Sequence, residues 1–316
     1  MEICILDRSS MGDDTPFDPI YKFGNVTIYD NTTKENVRER VEKCDVIITN
    51  KVKITKEVIE EAKKLKLICV FATGFDNIDL GSARENSVAV CNVPGYSTDS
   101  VALFTVSTAL ALYSHLNEYN EYVKNGSYTA SGVANKLVPV YHELKGKTWG
   151  IVGYGNIGTA VAKVAEAFGM NLLVNKRTTV ENINCVDIDT LCKESDIISL
   201  HCPLNDQTRH IINKDRLKLM KKSAILVNEA RGAVVDEAAV SEAIKNGDIG
   251  GFGCDVYSVE PFGKDHPYNE IMHLPNVILT PHSAWGSFES RARCVQIISQ
   301  NIQSFIESKI LNRVDI

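Results

Sequence analysis

The chain has 316 residues, 44% hydrophobic and 23% charged, a balance that excludes a disordered or low-complexity protein and leaves room for two cores. A formal net charge of -6 and a pI near 5.7 exclude a general electrostatic footprint for nucleic acid or an anionic membrane. The longest apolar window, 101–113, is interrupted by Thr105, Ser107 and Thr108 and falls short of the ~20 residues a membrane span needs. No charged and then apolar leader pattern opens the chain, so a soluble, cytoplasmic protein is expected. The nine cysteines form neither a CxxC pair nor a Cys/His cluster and read as small buried hydrophobes, with no disulfide framework and no metal site.

Strand-like runs at 2–7, 46–49, 67–72 and 88–92 alternate with helical patterns at 34–43, 55–64 and 80–85, which predicts a parallel sheet wrapped by helices. Residues 99–116 read as one long, mostly apolar helix bridging two domains, and 126–139 as a loop. From Thr148 the pattern becomes regular, with strands expected at 148–152, 171–175, 196–200, 223–228, 250–255 and 277–280. Six strands with intervening helices match two mononucleotide halves of a doubly wound sheet. A final helix at 288–307 is expected to return to the first domain. The fold class is therefore α/β with two domains: a central Rossmann domain at 99–286, and a smaller flavodoxin-like substrate domain made of 1–98 and 287–316.

Directly after the strand at 148–152 stands GYGNIG, with Gly153, Gly155 and Gly158, followed by a helical stretch. That order lays a dinucleotide pyrophosphate on a helix N-terminus, where free N–H groups and the helix dipole favour negative charge. About 20 residues further on, an NAD-preferring site places an acid on the adenine ribose. Here stand Lys176 and Arg177, which cannot accept from a ribose but can pair with a 2′-phosphate, so NADP is expected ahead of NAD.

Open parallel sheets bind ligands at the carboxyl ends of their strands. The last three strands each run into a chemically useful residue: Arg231 in NEARG, Glu260 in DVYSVEP and His282 after Pro281. Reducing a 2-keto acid needs a donor fork for the carboxylate, a proton for the carbonyl oxygen and a hydride for the carbon between them. Arg231 can supply the fork and His282 the proton, with Glu260 holding the imidazole in one tautomer.

TGFDNID (73–79), NVPGYS (92–97), GYGNIG (153–158), NEARG (228–232), DVYSVEP (255–261) and TPHSAW (280–285) occur in this order. In this set the chain resembles the D-isomer-specific 2-hydroxyacid dehydrogenases, and is most similar to their hydroxypyruvate/glyoxylate reductase and glycerate dehydrogenase branch. The resemblance implies D-stereospecific hydride transfer between a nicotinamide and a small 2-keto or 2-hydroxy acid, with Arg231, Glu260 and His282 catalytic. It further implies that backbone N–H groups of Thr73 and Gly74 help Arg231 and His282 bind the substrate, and that Asp255 meets the nicotinamide carboxamide. Tyr154, Gly155, Asn156 and Ile157 are expected along the pyrophosphate, Pro203, Thr208, Glu229 and Ala230 along the cofactor cleft, and a homodimer through the central domain. Two positions depart from the family pattern: Lys176 replaces an acid, and Leu103-Phe104 stands where many relatives carry a polar residue and a histidine. The alternative is a nucleotide-sensing, corepressor-like binding protein on the same fold.

Overall fold

The computed structural model describes residues 1–178 and 183–316. The chain divides into two compact units, Met1–Ser97 with Gly286–Ile316, and Thr98–Trp285.

The first unit is built on β1 (Glu2–Ile5), β2 (Asn25–Ile28), β3 (Val46–Thr49), β4 (Leu67–Val70) and β5 (Ala89–Cys91). They pair in the order β2-β1-β3-β4-β5, every pair parallel, which is the flavodoxin-like order. The runs VIIT, LICV and AVC are buried at every residue, as a parallel sheet covered on both faces requires. β2 was not anticipated in the sequence, being a four-residue edge strand with alternate residues exposed. The connecting helices are α1 (Asp18–Tyr21), α2 (Val37–Val41), α3 (Lys56–Glu61) and α4 (Leu80–Glu85). The C-terminal helix Phe288–Ile306 belongs to this unit, its Asn301 Nδ2 donating to the Asn92 carbonyl at 2.9 Å. The tail after it lies antiparallel along β5, with Cys91 bridged to Arg313, and the Asp315 carboxylate accepts from Val90 N at 2.8 Å.

The second unit opens on α5 (Thr98–Tyr113), α6 (Leu116–Lys124) and α7 (Ser127–Ser131). The single helix expected over 99–116 stops at Tyr113 because His115 takes a left-handed conformation, φ 54°, and the chain restarts as α6. The stretch expected as a loop from residue 126 begins with α7. Neither α6 nor α7 buries a residue. The sheet then uses β6 (Thr148–Val152), β7 (Asn171–Asn175), β8 (Ile197–Leu200), β9 (Ile225–Asn228), β10 (Gly251–Cys254) and β11 (Val277–Leu279). Between them run α8 (Asn156–Ala167), α9 (Ile188–Glu194), α10 (Lys214–Leu219) and α11 (Glu237–Asn246).

The strand order is β11-β10-β9-β8-β6-β7, with all neighbours parallel, so the order reverses between β6 and β8. The six strands are not two halves of three. The third position of the first half is a single parallel bridge from Cys185 to Val174 outside β7, and β11 is an addition to the second half. The reversal is a topological switch point, and it sits where β6 feeds the glycine turn.

Candidate active site

β6 enters a tight turn at Gly153, φ 94°, and α8 begins after Gly155. A Cβ on Gly158 would lie 2.3 Å from the Gly153 carbonyl oxygen, so the helix start and the turn are in backbone contact. Around Gly155 the space is open, with no heavy atom within 4 Å of where a Cβ would stand. The first turn of α8 carries no acidic side chain and its cap makes no side-chain bond, so its amides keep their capacity for an anion. This cradle fits a dinucleotide pyrophosphate. Asn156 is exposed, and Tyr154 and Ile157 are half-buried beside it.

Lys176 and Arg177 follow β7 directly, are exposed, and form no ion pair with any described residue. Past β8, Thr208 donates to the Pro203 carbonyl at 2.6 Å and accepts from Asn205 N at 2.8 Å, closing a turn. His201 precedes that turn with Nε2 2.9 Å from Ser199 Oγ, and burial lowers its imidazole to about 3, so it is neutral. It is a structural group and not a proton donor at ordinary pH.

The ends of the last three strands are held by local bonds. Asn228, fully buried at the end of β9, donates to the Arg231 carbonyl at 3.0 Å and accepts from Ala230 N at 3.2 Å, which leaves the Arg231 side chain exposed. Past β10, Glu260 Oε1 accepts from Tyr257 N at 3.0 Å, and Glu260 Oε2 lies 2.6 Å from His282 Nδ1. That bond occupies Nδ1, so a proton exchanged with a ligand would pass through Nε2. His282 has φ 54°, a conformation side chains seldom adopt, and its turn is wrapped around Asp255. Thr280 Oγ1, Ser283 N and Ala284 N donate to that carboxylate at 2.6, 2.8 and 2.9 Å. Arg231, Glu260, His282 and Asp255 thus stand on loops leaving the carboxyl edge of one sheet.

Glu229 is 8% exposed, and its Oε2 lies 3.2 Å from Thr105 Oγ1 of α5. Burial, then the neighbouring Asp255 charge, push its carboxyl up to about 8. Leu103 of α5 is 65% exposed and Phe104 half-buried, so this part of the helix presents apolar groups. Thr73 and Gly74 lie in the first unit after β4, where Thr73 Oγ1 donates to Val93 O at 2.9 Å and Asn92 Nδ2 to Thr73 O at 2.8 Å.

Sequence reasoning missed the anchor of the loop that carries Glu260. Glu237, in the first turn of α11, accepts from Ser258 N at 2.9 Å, and His266 Nε2 lies 3.1 Å from its other oxygen. Tyr268 N donates to His266 Nδ1 at 3.2 Å, which fixes the proton on Nε2. These partners are 21 and 29 residues from Glu237, and the one available signal was an acid opening a helix behind the Asp236 cap.

Residues 106–284 match the family profile described as D-isomer specific 2-hydroxyacid dehydrogenase, NAD binding domain. A hydroxypyruvate reductase of Blautia hydrogenotrophica is 34% identical, with 100% of both chains covered. A glyoxylate reductase of Thermococcus litoralis is 41% identical over 86% of this chain and 83% of its own. A solved structure described as an acyclic imino acid reductase in complex with NADPH and D-Arg superposes with a TM-score of 0.87 at 33% identity, covering 99% of this chain and 100% of that one.

Proposed function

The chain belongs to the D-isomer-specific 2-hydroxyacid dehydrogenase family, and on that premise we propose that it interconverts a small 2-keto acid and its D-2-hydroxy acid with a nicotinamide cofactor, hydroxypyruvate or glyoxylate being the first candidates. The observation that carries the reading is the 2.6 Å His282–Glu260 bond on strand-end loops of the sheet that also presents Arg231. In the reducing direction the Arg231 guanidinium pairs with the substrate carboxylate and aligns the carbonyl. His282 Nε2 gives its proton to the carbonyl oxygen while Glu260 keeps the ring in place through Nδ1. A bound nicotinamide dinucleotide supplies the hydride. In the oxidising direction Nε2 takes the proton back from the hydroxyl. In the first unit, which we take as the substrate domain, the backbone N–H groups of Thr73 and Gly74 are the candidate substrate contacts.

The cofactor would be held by the α8 N-terminus at Tyr154, Gly155, Asn156 and Ile157, by the Pro203–Thr208 turn, by Ala230, and by Asp255 at the carboxamide, whereas Glu229, expected along the same cleft, is buried against Thr105 of α5. NADP is favoured over NAD because Lys176 and Arg177 offer two cations with no ion-pair partner among the described residues. A homodimer is supported by α6, α7 and the segment after them, where Leu116, Val123, Leu137, Val138 and Tyr141 are each more than half exposed. A cytoplasmic setting is supported by nine free cysteines, eight of them buried. Among the described residues no helix is long and apolar enough to cross a membrane. The corepressor-like alternative finds no support in the relatives reported above, which are described as reductases.

The test is the initial rate of NADPH and NADH oxidation with hydroxypyruvate, glyoxylate and pyruvate, compared with the His282→Ala protein. Turnover by the parent that the variant loses while still binding cofactor is expected. Tight cofactor binding with silence on every acid would refute the reading.

A further inference from the structure

Asn228 and Cys254 face each other across β9 and β10, so Glu229 and Asp255 are the next residues past two neighbouring strand ends. Both are buried, at 8% and 1% exposure. Two adjacent carboxyls in such surroundings do not both ionise at ordinary pH, because each charge raises the cost of the other. Their donors decide which one stays charged. Asp255 receives two backbone N–H groups and the Thr280 hydroxyl, all within 2.9 Å. Glu229 has the hydroxyls of Thr105 and Thr108, from α5.

The hydroxyl of Thr105 has one proton, and its oxygen lies 2.9 Å from the Val101 carbonyl, which can only accept, and 3.2 Å from Glu229 Oε2. That one proton is shared between the Val101 carbonyl and Glu229, so the donors of Glu229 compensate a charge less well than the three short bonds to Asp255. The shift of the Glu229 carboxyl to about 8 has the same sense. From β10 the other titratable neighbour is the Cys254 thiol, which burial keeps neutral and which donates to Val256 O at 2.9 Å.

We propose that Glu229 is a positioning residue that works as a neutral carboxylic acid: its lack of charge leaves Asp255 as the anion that holds the turn presenting His282. The proposal rests on the reading of His282 as the proton-exchanging group. Glu229 touches none of the reacting atoms; it acts through Asp255. Ionising Glu229 sets a second negative charge beside Asp255. The Thr280–Ala284 turn loosens, and His282 loses its orientation.

The experiment is the pH profile of D-glycerate oxidation by the full-length protein with NADP. Oxidation releases a proton, so rising pH does not by itself oppose it. The parent is expected to decline above about pH 8, losing about tenfold near pH 9, as the Glu229 proton leaves. Glu229→Gln keeps a neutral donor and acceptor in the same volume, so its profile, normalised to its own maximum, is expected to stay level through that range. Glu229→Ala, which removes both bond and volume, is expected to be slower at every pH. An infrared carbonyl band of a protonated carboxyl near pH 6, present in the parent and missing in Glu229→Gln, reads the proton without turnover. An alkaline limb in Glu229→Gln equal to the parent's, or no such band, overturns the proposal. Silence of both proteins on every 2-hydroxy acid overturns the dehydrogenase reading instead, while the infrared band still decides the proton.

Discussion

Gly155 and Gly158 sit three residues apart in one motif, yet the structure separates what each does. Gly155 has φ -95° and ψ -158°, ordinary values for alanine, and an added Cβ would meet nothing within 4 Å. Gly155→Ala therefore has no steric cost in the free protein, and by restricting the unfolded chain it is expected to stabilise by about 0.4–1 kcal/mol. The same methyl intrudes on the open space at the helix N-terminus where a pyrophosphate must approach the amides. Losing one charge-assisted bond to a backbone N–H there costs about 1.5–3 kcal/mol, so the cofactor Kd is expected to rise roughly 10- to 100-fold. Gly158→Ala does the opposite. Its Cβ would stand 2.3 Å from the Gly153 carbonyl oxygen and 3.1 Å from Ile151 Cγ2, so strand and helix must part, at an expected cost of about 1–3 kcal/mol. Urea unfolding of the apo proteins and fluorescence titration with NADPH measure the two quantities separately. Gly155→Ala binding cofactor as tightly as the parent would refute the assignment of that space, and an undestabilised Gly158→Ala would refute the packing argument.

Replacing Lys176 by Asp gives the ribose an acceptor and removes one phosphate partner; kcat/KM should fall at least about tenfold with NADPH and rise with NADH, and an unchanged ratio would remove this residue from cofactor choice. Glu229→Gln should also alter stability with a defined sign. The folded carboxyl titrates near 8 against 4.5 when free, so its contribution is full below about pH 4.5 and is lost as pH rises through 8, up to about 5 kcal/mol in all. Because Gln does not titrate, the stability of the variant relative to the parent should climb between those values and then level, in urea unfolding at a series of pH values; a flat difference would contradict the neutral acid. Glu237→Ala should lower kcat about tenfold or more with cofactor affinity kept, since it frees Ser258 and His266 and so the loop bearing Glu260; steady-state kinetics beside a binding titration would show whether the two separate.

Much of this was legible in the sequence because its signals are local. A strand, three glycines and a helix are adjacent in the chain, and each strand end carries its chemical group within a few residues, so GYGNIG, Arg231, Glu260 and His282 could be put forward as candidates from residue order. Other features depend on partners far away in the chain. β2 is a four-residue edge strand whose alternation is too short to stand out, and the break at His115 is a backbone conformation with no glycine or proline to announce it. Glu229 looked like one more residue lining a cofactor cleft. Its proximity to Asp255 comes from strand pairing, and its contact with Thr105 spans 124 residues. The helical patterns at 34–43 and 55–64 ran longer than α2 and α3, since periodicity marks a face and not where the last turn frays.

The placement of residues 286–316 in the first unit gives synthesis an order. A ribosome delivers the first 97 residues, then every residue of the second unit, and only then the helix that packs on β4 and the tail that lies along β5. Throughout that interval β5 is an uncovered strand edge, with Val90 and Asn92 lacking the acceptors that Asp315 and Asn312 later provide. The contiguous second unit can complete its sheet first, and the unit that begins the chain is the last to close.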